Sequence, residues 1–101
     1  MGKLTITLED IFNIPGAEIH NPDLFKPLSK IFIDSRKVEK NSIFVAIKGD
    51  NFDGHNFVLD ALKKGARTVV INKSKISKFR FIELPLITVP DTTIALGEIA
   101  N

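Results

Sequence analysis

Two short stretches of the chain carry the residue types that binding chemistry needs. The first is Asp34-Ser35-Arg36, directly after Lys30-Ile31-Phe32-Ile33. Read as a buried strand running into a polar tip, it delivers a carboxylate, a small hydroxyl and a guanidinium together. Open α/β sheets bind ligands at strand ends of that kind, and the planar fork of Arg36 suits phosphate. The same residues also make a plain turn closed by a salt bridge. The second stretch is Lys48-Gly49-Asp50-Asn51-Phe52-Asp53-Gly54-His55. Its two glycines allow backbone to approach a ligand closely, and it leads into a helix N-terminus, which favours anions. His55 falls in the first turn, where its ring either donates to a ligand oxygen or caps its own loop.

Absences narrow the chemistry further. The chain has no Gly-x-x-x-x-Gly-Lys-[Ser/Thr] phosphate loop and no Gly-x-Gly-x-x-Gly. It has no Gly-x-Ser-x-Gly nucleophile elbow, and no two carboxylates are placed for acid–base work. Cysteine is absent, which excludes disulfides, thiolate metal sites and cysteine nucleophiles and fits a reducing cytoplasm. Two histidines do not make a histidine-rich metal site, and without Trp or Tyr any aromatic platform falls to the eight Phe. The residues describe a small α/β binding module without visible catalytic machinery.

These candidate sites need elements to position them. The 101 residues are one domain's worth of chain. An apolar share of 44% with 26% charged residues is the composition of a soluble globular protein with a modest core. The longest apolar run, Ile43–Ile47, is far short of the ~18–20 residues that span a bilayer. Met1–Asp10 has no apolar h-region and is not a signal peptide, and Ile6 breaks the myristoylation pattern.

The net charge of +2 does not by itself imply a nucleic-acid partner. The charge is nonetheless uneven. Lys63, Lys64, Arg67, Lys73, Lys75, Lys78 and Arg80 all fall between Ala61 and Ile82, a segment with no carboxylate. Such a segment is a solvated face, a phosphate-facing surface or an interdomain contact. A standalone nucleic-acid or protein-interaction module is the competing reading, but no RNA-recognition aromatics or helix-turn-helix signature accompany the segment.

Along the chain, Thr7-Leu8-Glu9-Asp10 has the form of a capping box. It predicts a helix over Leu8 to Asn13 with Leu8, Ile11 and Phe12 inward, stopped by Pro15-Gly16. Ala17 to His20 reads as a short strand and Asn21-Pro22-Asp23 as a turn. Lys30–Asp34, Ile43–Ile47, Arg67–Ile71 and Pro85–Val89 read as strands, the second and third buried on both faces. A helix is expected from near Gly54, capped by Asp53, with Phe57, Val58, Ala61 and Leu62 on one face and Gly65 ending it. That strand–helix–strand order argues for a parallel α/β unit. Residues 72–81 have no clear assignment. Asp91 caps a last helix with Ile94, Ala95, Leu96 and Ile99 inward. That helix carries no stop signal.

Four segments together resemble one family: Ile33-Asp34-Ser35-Arg36-Lys37-Val38, Ser42–Gly49, Phe52-Asp53-Gly54-His55-Asn56-Phe57 and Ala61–Ala66. In order and spacing they look like the N-terminal domain of the Mur ligases, the ATP-dependent amide ligases that build the peptide stem of bacterial peptidoglycan precursors. Gly49–His55 is similar to the Gly-x-x-Phe-Asp-Gly-His form of the member that adds D-alanyl-D-alanine. Val89-Pro90-Asp91-Thr92-Thr93-Ile94-Ala95-Leu96 resembles that member's helix start. The member that adds the third stem residue, diaminopimelate or lysine, shares the Asp-Ser-Arg and Asp-Gly-His parts.

The resemblance implies a small single α/β domain over residues 1–101, with a mostly parallel or mixed sheet flanked by helices. It implies that this domain holds the UDP end of UDP-N-acetylmuramoyl-peptide. The ATP phosphate loop and magnesium ligands would belong to a central domain, and a C-terminal domain would complete the amino-acid site, both absent from this chain. By itself the domain is then expected to hold no catalytic residue, metal or cofactor. A cytoplasmic monomer that neither binds nucleic acid nor inserts in a membrane is expected. Carried over by motif, Asp34, Ser35, Arg36, Lys48, Gly49, Asn51, Phe52, Asp53, Gly54 and His55 are the substrate-facing residues. Ser35 would donate to a uridine or diphosphate oxygen, Arg36 and Lys48 would face diphosphate, and Phe52 would lie against uracil. Asn51, Asp53 and His55 would shape the loop and contact uridine or sugar. In the alternative left open, Arg36 holds the tip through Asp34 and His55 caps its loop.

Overall fold

Four of the apolar runs form parallel strands in the computed structural model, which describes residues 5–100. Met1–Leu4, read above for targeting signals, and Asn101 lie outside the described residues. The parallel strands are β2 (Ile31–Phe32), β3 (Ser42–Val45), β4 (Ala66–Asn72) and β5 (Leu86–Val89). Strand β1 (Glu18–His20) pairs antiparallel with β5, so the five-stranded sheet is mixed, in the order β1-β5-β4-β3-β2. This is the α/β architecture expected from the sequence.

The inner strands are buried on both faces because helices cover both. With period-two alternation, Ile43 and Val45 face one layer together with Val70, Ile87 and Val89. Helices α1 (Leu8–Phe12) and α3 (Thr92–Ala100) close that layer through Ile11, Ala95 and Ile99. Phe44 and Ala46 face the other way with Val69, Ile71 and Leu86. Helix α2 (Val58–Lys63) closes that second layer with Val58 and Ala61, joined by Phe79 and Ile82.

The predicted helix signals act as read. Thr7 and Asp10 form a reciprocal capping box at α1. Asp91 Oδ1 accepts the N–H of Thr93 at 2.8 Å at the start of α3. Gly65 ends α2 at φ +108°, with backbone of Lys40 so close that an added Cβ would lie 2.8 Å from its Cα.

Several details differ from the expectation. Phe12 is 62% exposed and Ile94 59% exposed, so neither faces the core. A five-residue α1 offers the sheet one inward position, and Ile11 takes it. In α3 the buried positions are Thr92, Ala95 and Ile99, with Leu96 half-buried, a stripe at i, i+3, i+4 and i+7 that turns Ile94 outward. The strand before the Asp34 tip is only Ile31–Phe32, and Asp34 instead caps a 3-10 turn over Ser35–Lys37. The helix near Gly54 begins as a 3-10 turn, Gly54–Phe57, before α2. The unassigned segment forms a 3-10 turn over Lys73–Lys78.

The basic segment is divided by the fold. Lys63, Lys64 and Arg67 sit near the start of β4, and Lys73, Lys75, Lys78 and Arg80 lie beyond its end. A seven-residue strand separates the two groups by about 20 Å. Lys73 also pairs with Glu18 at 3.4 Å. Among the described residues no helix is long and apolar enough to cross a membrane.

Candidate functional site

Because β2 to β5 run parallel, the segments that follow them emerge at the same end of the sheet. That end carries the 33–36 tip after β2, the 46–54 loop after β3, Asn72 at the close of β4 and Asp91 after β5. The two stretches that carry candidate chemistry are thereby neighbours.

The tip is built around Asp34. Its Oδ1 accepts the backbone N–H of Arg36 at 2.9 Å and the Arg36 Nε–H at 3.1 Å, while Oδ2 accepts from Nη2 at 2.9 Å. The Arg36 side chain and its backbone N–H hold the Asp34 carboxyl well below the usual range, at about 2. The Arg36 side chain is 85% exposed, and its Nε and Nη2 are the guanidinium nitrogens bonded to Asp34. Ser35 is buried. Among the described residues no sealed side-chain polar atom lacks a partner, and Ser35 lines an open groove.

That groove has a volume of about 510 Å³ and is lined by Ile33, Asp34, Ser35, Arg36, Phe52 and Phe57. Phe52 and Phe57 stack with ring centroids 5.3 Å apart and planes 9° from parallel. Phe52 is 48% exposed, so part of its ring surface stays open. The arrangement is an apolar slot lined also by a carboxylate–guanidinium pair and by Ser35. It suits a flat ring bearing a polar or anionic tail.

The loop is held by its own polar groups. Gly49 N–H donates to the Phe52 carbonyl at 2.7 Å, closing the turn. Gly54 N–H donates to the Ile47 carbonyl at 2.8 Å. A Cβ at Gly54 would lie 2.9 Å from Ile47 N and 3.1 Å from Ala46 Cα, so glycine serves a close approach to β3's own continuation rather than to a ligand. A Cβ at Gly49 would meet only Phe52 O at 3.8 Å. Asp53 Oδ1 accepts both the backbone N–H of His55 at 2.9 Å and its ring Nδ1–H at 2.6 Å. Burial pushes the Asp53 carboxyl up, but the two His55 donors and the nearby Lys75 outweigh it and hold it below the usual value.

The other ring nitrogen of His55, Nε2, accepts the backbone N–H of Asn72 at 3.1 Å. Asn72 Oδ1 in turn accepts the Thr92 N–H at 2.9 Å. With its side chain 3% exposed, His55 is a buried strut between the loop and β4. Among the described residues no group of His, Cys, Asp or Glu side chains gathers to hold a metal.

A family model described as "Mur ligase family, catalytic domain" matches residues 27–101. The chain belongs to the Mur ligase family. It is 40% identical over 90 residues to the UDP-N-acetylmuramoyl-L-alanyl-D-glutamate–2,6-diaminopimelate ligase of Aquifex aeolicus, covering 86% of this chain and 18% of that protein. It is 32% identical over 97 residues to the UDP-N-acetylmuramoyl-tripeptide–D-alanyl-D-alanine ligase of Escherichia coli, covering 96% and 20% respectively. In structure it is similar to MurF from Acinetobacter baumannii, with a TM-score of 0.76 and 26% identity over 94% of this chain and 20% of that one. The chain thus spans about a fifth of the length of the Mur ligases it matches, and it matches ligases of two different steps.

Within this Mur ligase chain the fold brings Asp34, Ser35, Arg36 and Phe52 together around one groove. Lys48, Gly49, Asn51, Asp53, Gly54 and His55 do not line it. Lys48 and Asn51 are on the exposed part of the loop, and Gly54, Asp53 and His55 fasten the loop from behind. Two lining residues were not in the predicted set, Ile33 and Phe57. Ile33 carried a signal, since an apolar residue just before a polar tip leaves the sheet with the tip. Phe57 packs against the core as expected, and from the 3-10 turn at Gly54–Phe57 its ring also stacks on Phe52, a contact the helical pattern does not show.

Proposed function

We propose that this chain is the Mur ligase domain that holds the UDP end of UDP-N-acetylmuramoyl-peptide. The groove is the single observation that carries this reading. Its Phe52 and Phe57 rings and Ile33 offer an apolar slot for a uracil. Base–aromatic stacking of this type contributes about 1–3 kcal/mol. Ser35 and the exposed guanidinium of Arg36 line the same groove, where a diphosphate would follow the nucleoside. Lys48, on the exposed part of the neighbouring loop, adds a cation on the diphosphate side. The parent is an ATP-dependent amide ligase whose central and C-terminal domains supply ATP, magnesium and the amino-acid site. The domain acts by holding one end of the substrate while those domains do the chemistry.

The parent step we favour is addition of D-alanyl-D-alanine to the muramoyl tripeptide, supported by Gly49–His55 and by the likeness to MurF over 94% of the chain. A second reading, addition of the third stem residue, is favoured by the 40% identity to the Aquifex diaminopimelate ligase. Offering the full-length ligase each amino donor with its matching acceptor separates the two.

Titration of the ¹⁵N-labelled chain with UDP-N-acetylmuramoyl-tripeptide tests the binding role. Amide shifts centred on residues 33–36, 52 and 57 support it. Shifts confined to other segments, or none at millimolar ligand, refute it.

A further inference from the structure

The groove and the polar strut behind it share a segment. Phe52 immediately precedes Asp53, and Phe57 ends the same 3-10 turn that contains His55. The backbone between the two stacked rings is therefore the backbone that His55 fastens. Its ring reaches in both directions at once. Nδ1–H is given to Asp53 at 2.6 Å, next to Phe52 in sequence, and Nε2 takes the N–H of Asn72 at 3.1 Å, at the end of a buried strand. The ring is itself buried, and it lies beside Phe79 with centroids 6.4 Å apart. It does not line the groove.

We propose that His55 is a positioning residue for this groove: it pins the turn that carries Phe52 and Phe57 to the end of β4 and so keeps the two rings stacked as one wall. The proposal rests on the reading of the groove as a nucleotide slot only for its effect on affinity. The wall itself exists without ligand. A flexible loop of this composition would otherwise sample many backbone states, and holding it in one removes an ordering cost from binding. The tie to Asn72 matters most, because Asn72 belongs to the sheet, whereas Asp53 moves with the loop.

Two substitutions separate the two ends of the strut. His55→Gln keeps a carbonyl acceptor near the place of Nε2 and gives up the contact with Asp53. His55→Asn keeps a donor near the place of Nδ1 and gives up the reach to Asn72. The test is an NMR comparison of the 101-residue chain and both variants, first ligand-free and then with UDP as probe. Ligand-free, NOEs between the Phe52 and Phe57 rings are expected in the parent chain and in His55→Gln, and are expected to be lost in His55→Asn. With UDP, the Gln variant is expected to bind within about threefold of the parent and the Asn variant about tenfold more weakly, as loss of one hydrogen bond of about 1.4 kcal/mol gives.

Equal ring NOEs in both variants, or an Asn variant that keeps them better than the Gln variant, overturn the proposal. If His55→Asn does not fold, His55→Gln decides alone: NOEs kept support the proposal and NOEs lost overturn it. Absence of UDP shifts in the parent chain counts against the nucleotide reading and leaves the ring NOEs to decide the role of His55.

Discussion

The Nε2 of His55 accepts the backbone N–H of Asn72 at 3.1 Å, across 17 residues of chain. A backbone N–H can only donate, so this contact fixes the tautomer, with the ring proton on Nδ1 facing Asp53. A long-range ¹H–¹⁵N spectrum of the imidazole is expected to show a protonated Nδ1 and an unprotonated Nε2 at neutral pH. A proton on Nε2 would mean that the strut does not form.

Gly54 and Gly49 sit five residues apart in one loop, but only Gly54 is crowded. Gly54→Ala forces a Cβ against backbone atoms of Ile47 and Ala46 at 2.9–3.1 Å, neither of which is a movable side chain. A loss of about 1–3 kcal/mol is expected in urea unfolding. Gly49→Ala is expected to stay within about 0.5 kcal/mol of the parent chain.

The two apolar residues that end α1 are expected to respond oppositely. Ile11 is fully buried and packs with Ile43, Val45, Ala95 and Ile99, so Ile11→Ala should cost about 2–5 kcal/mol. Phe12 is 62% exposed, and Phe12→Ser should change stability by less than about 0.5 kcal/mol. Paired denaturation curves check both.

Asp34 is held at about 2 by the Arg36 side chain and backbone N–H. A depressed carboxylate contributes stability above its unfolded value of about 3.9, and that contribution is lost as pH falls through about 2. The Asp34 carboxyl carbon is therefore expected to titrate near pH 2, and Arg36→Ala should raise its midpoint toward the ordinary value. Between pH 7 and 5 the carboxyl is ionised in both the folded and the unfolded chain, so stability should not change there on its account, and because the pair is exposed the contribution lost at lower pH is small.

The fold was largely legible because its signals are local and mutually consistent. Ile43–Ile47 and Arg67–Ile71 are apolar enough to be read as doubly buried strands, and Thr7, Asp53, Asp91 and Gly65 mark helix ends by known chemistry. The misassigned residues share a cause. Phe12 and Ile94 are apolar and helical, but which face of a short helix meets the sheet depends on tertiary packing. In α3 the small Ala95 and the Thr92 N–H bonded to Asn72 set the phase, and no local pattern announces either.

The site was legible in part for a similar reason. Asp34, Ser35, Arg36 and Phe52 were named from their types and motif, and the fold places them around one groove. The partner of Phe52 was not legible. Phe57 at i+5 from Phe52 stacks on it across a loop and a 3-10 turn, a pairing that helical spacing does not announce. The strut from His55 to Asn72 joins residues whose proximity follows from strand pairing and loop closure, not from spacing.

In the proposed function a uracil lies in the groove against Phe52. Intermolecular NOEs between the H5 and H6 protons of UDP and the ring protons of Phe52 and Phe57 test it most directly. Such NOEs are expected in the parent chain, and their loss, with binding weakened about tenfold, in Phe52→Ala. Bound UDP whose uracil protons contact neither ring, or a Phe52→Ala variant that binds UDP as tightly as the parent, would contradict it.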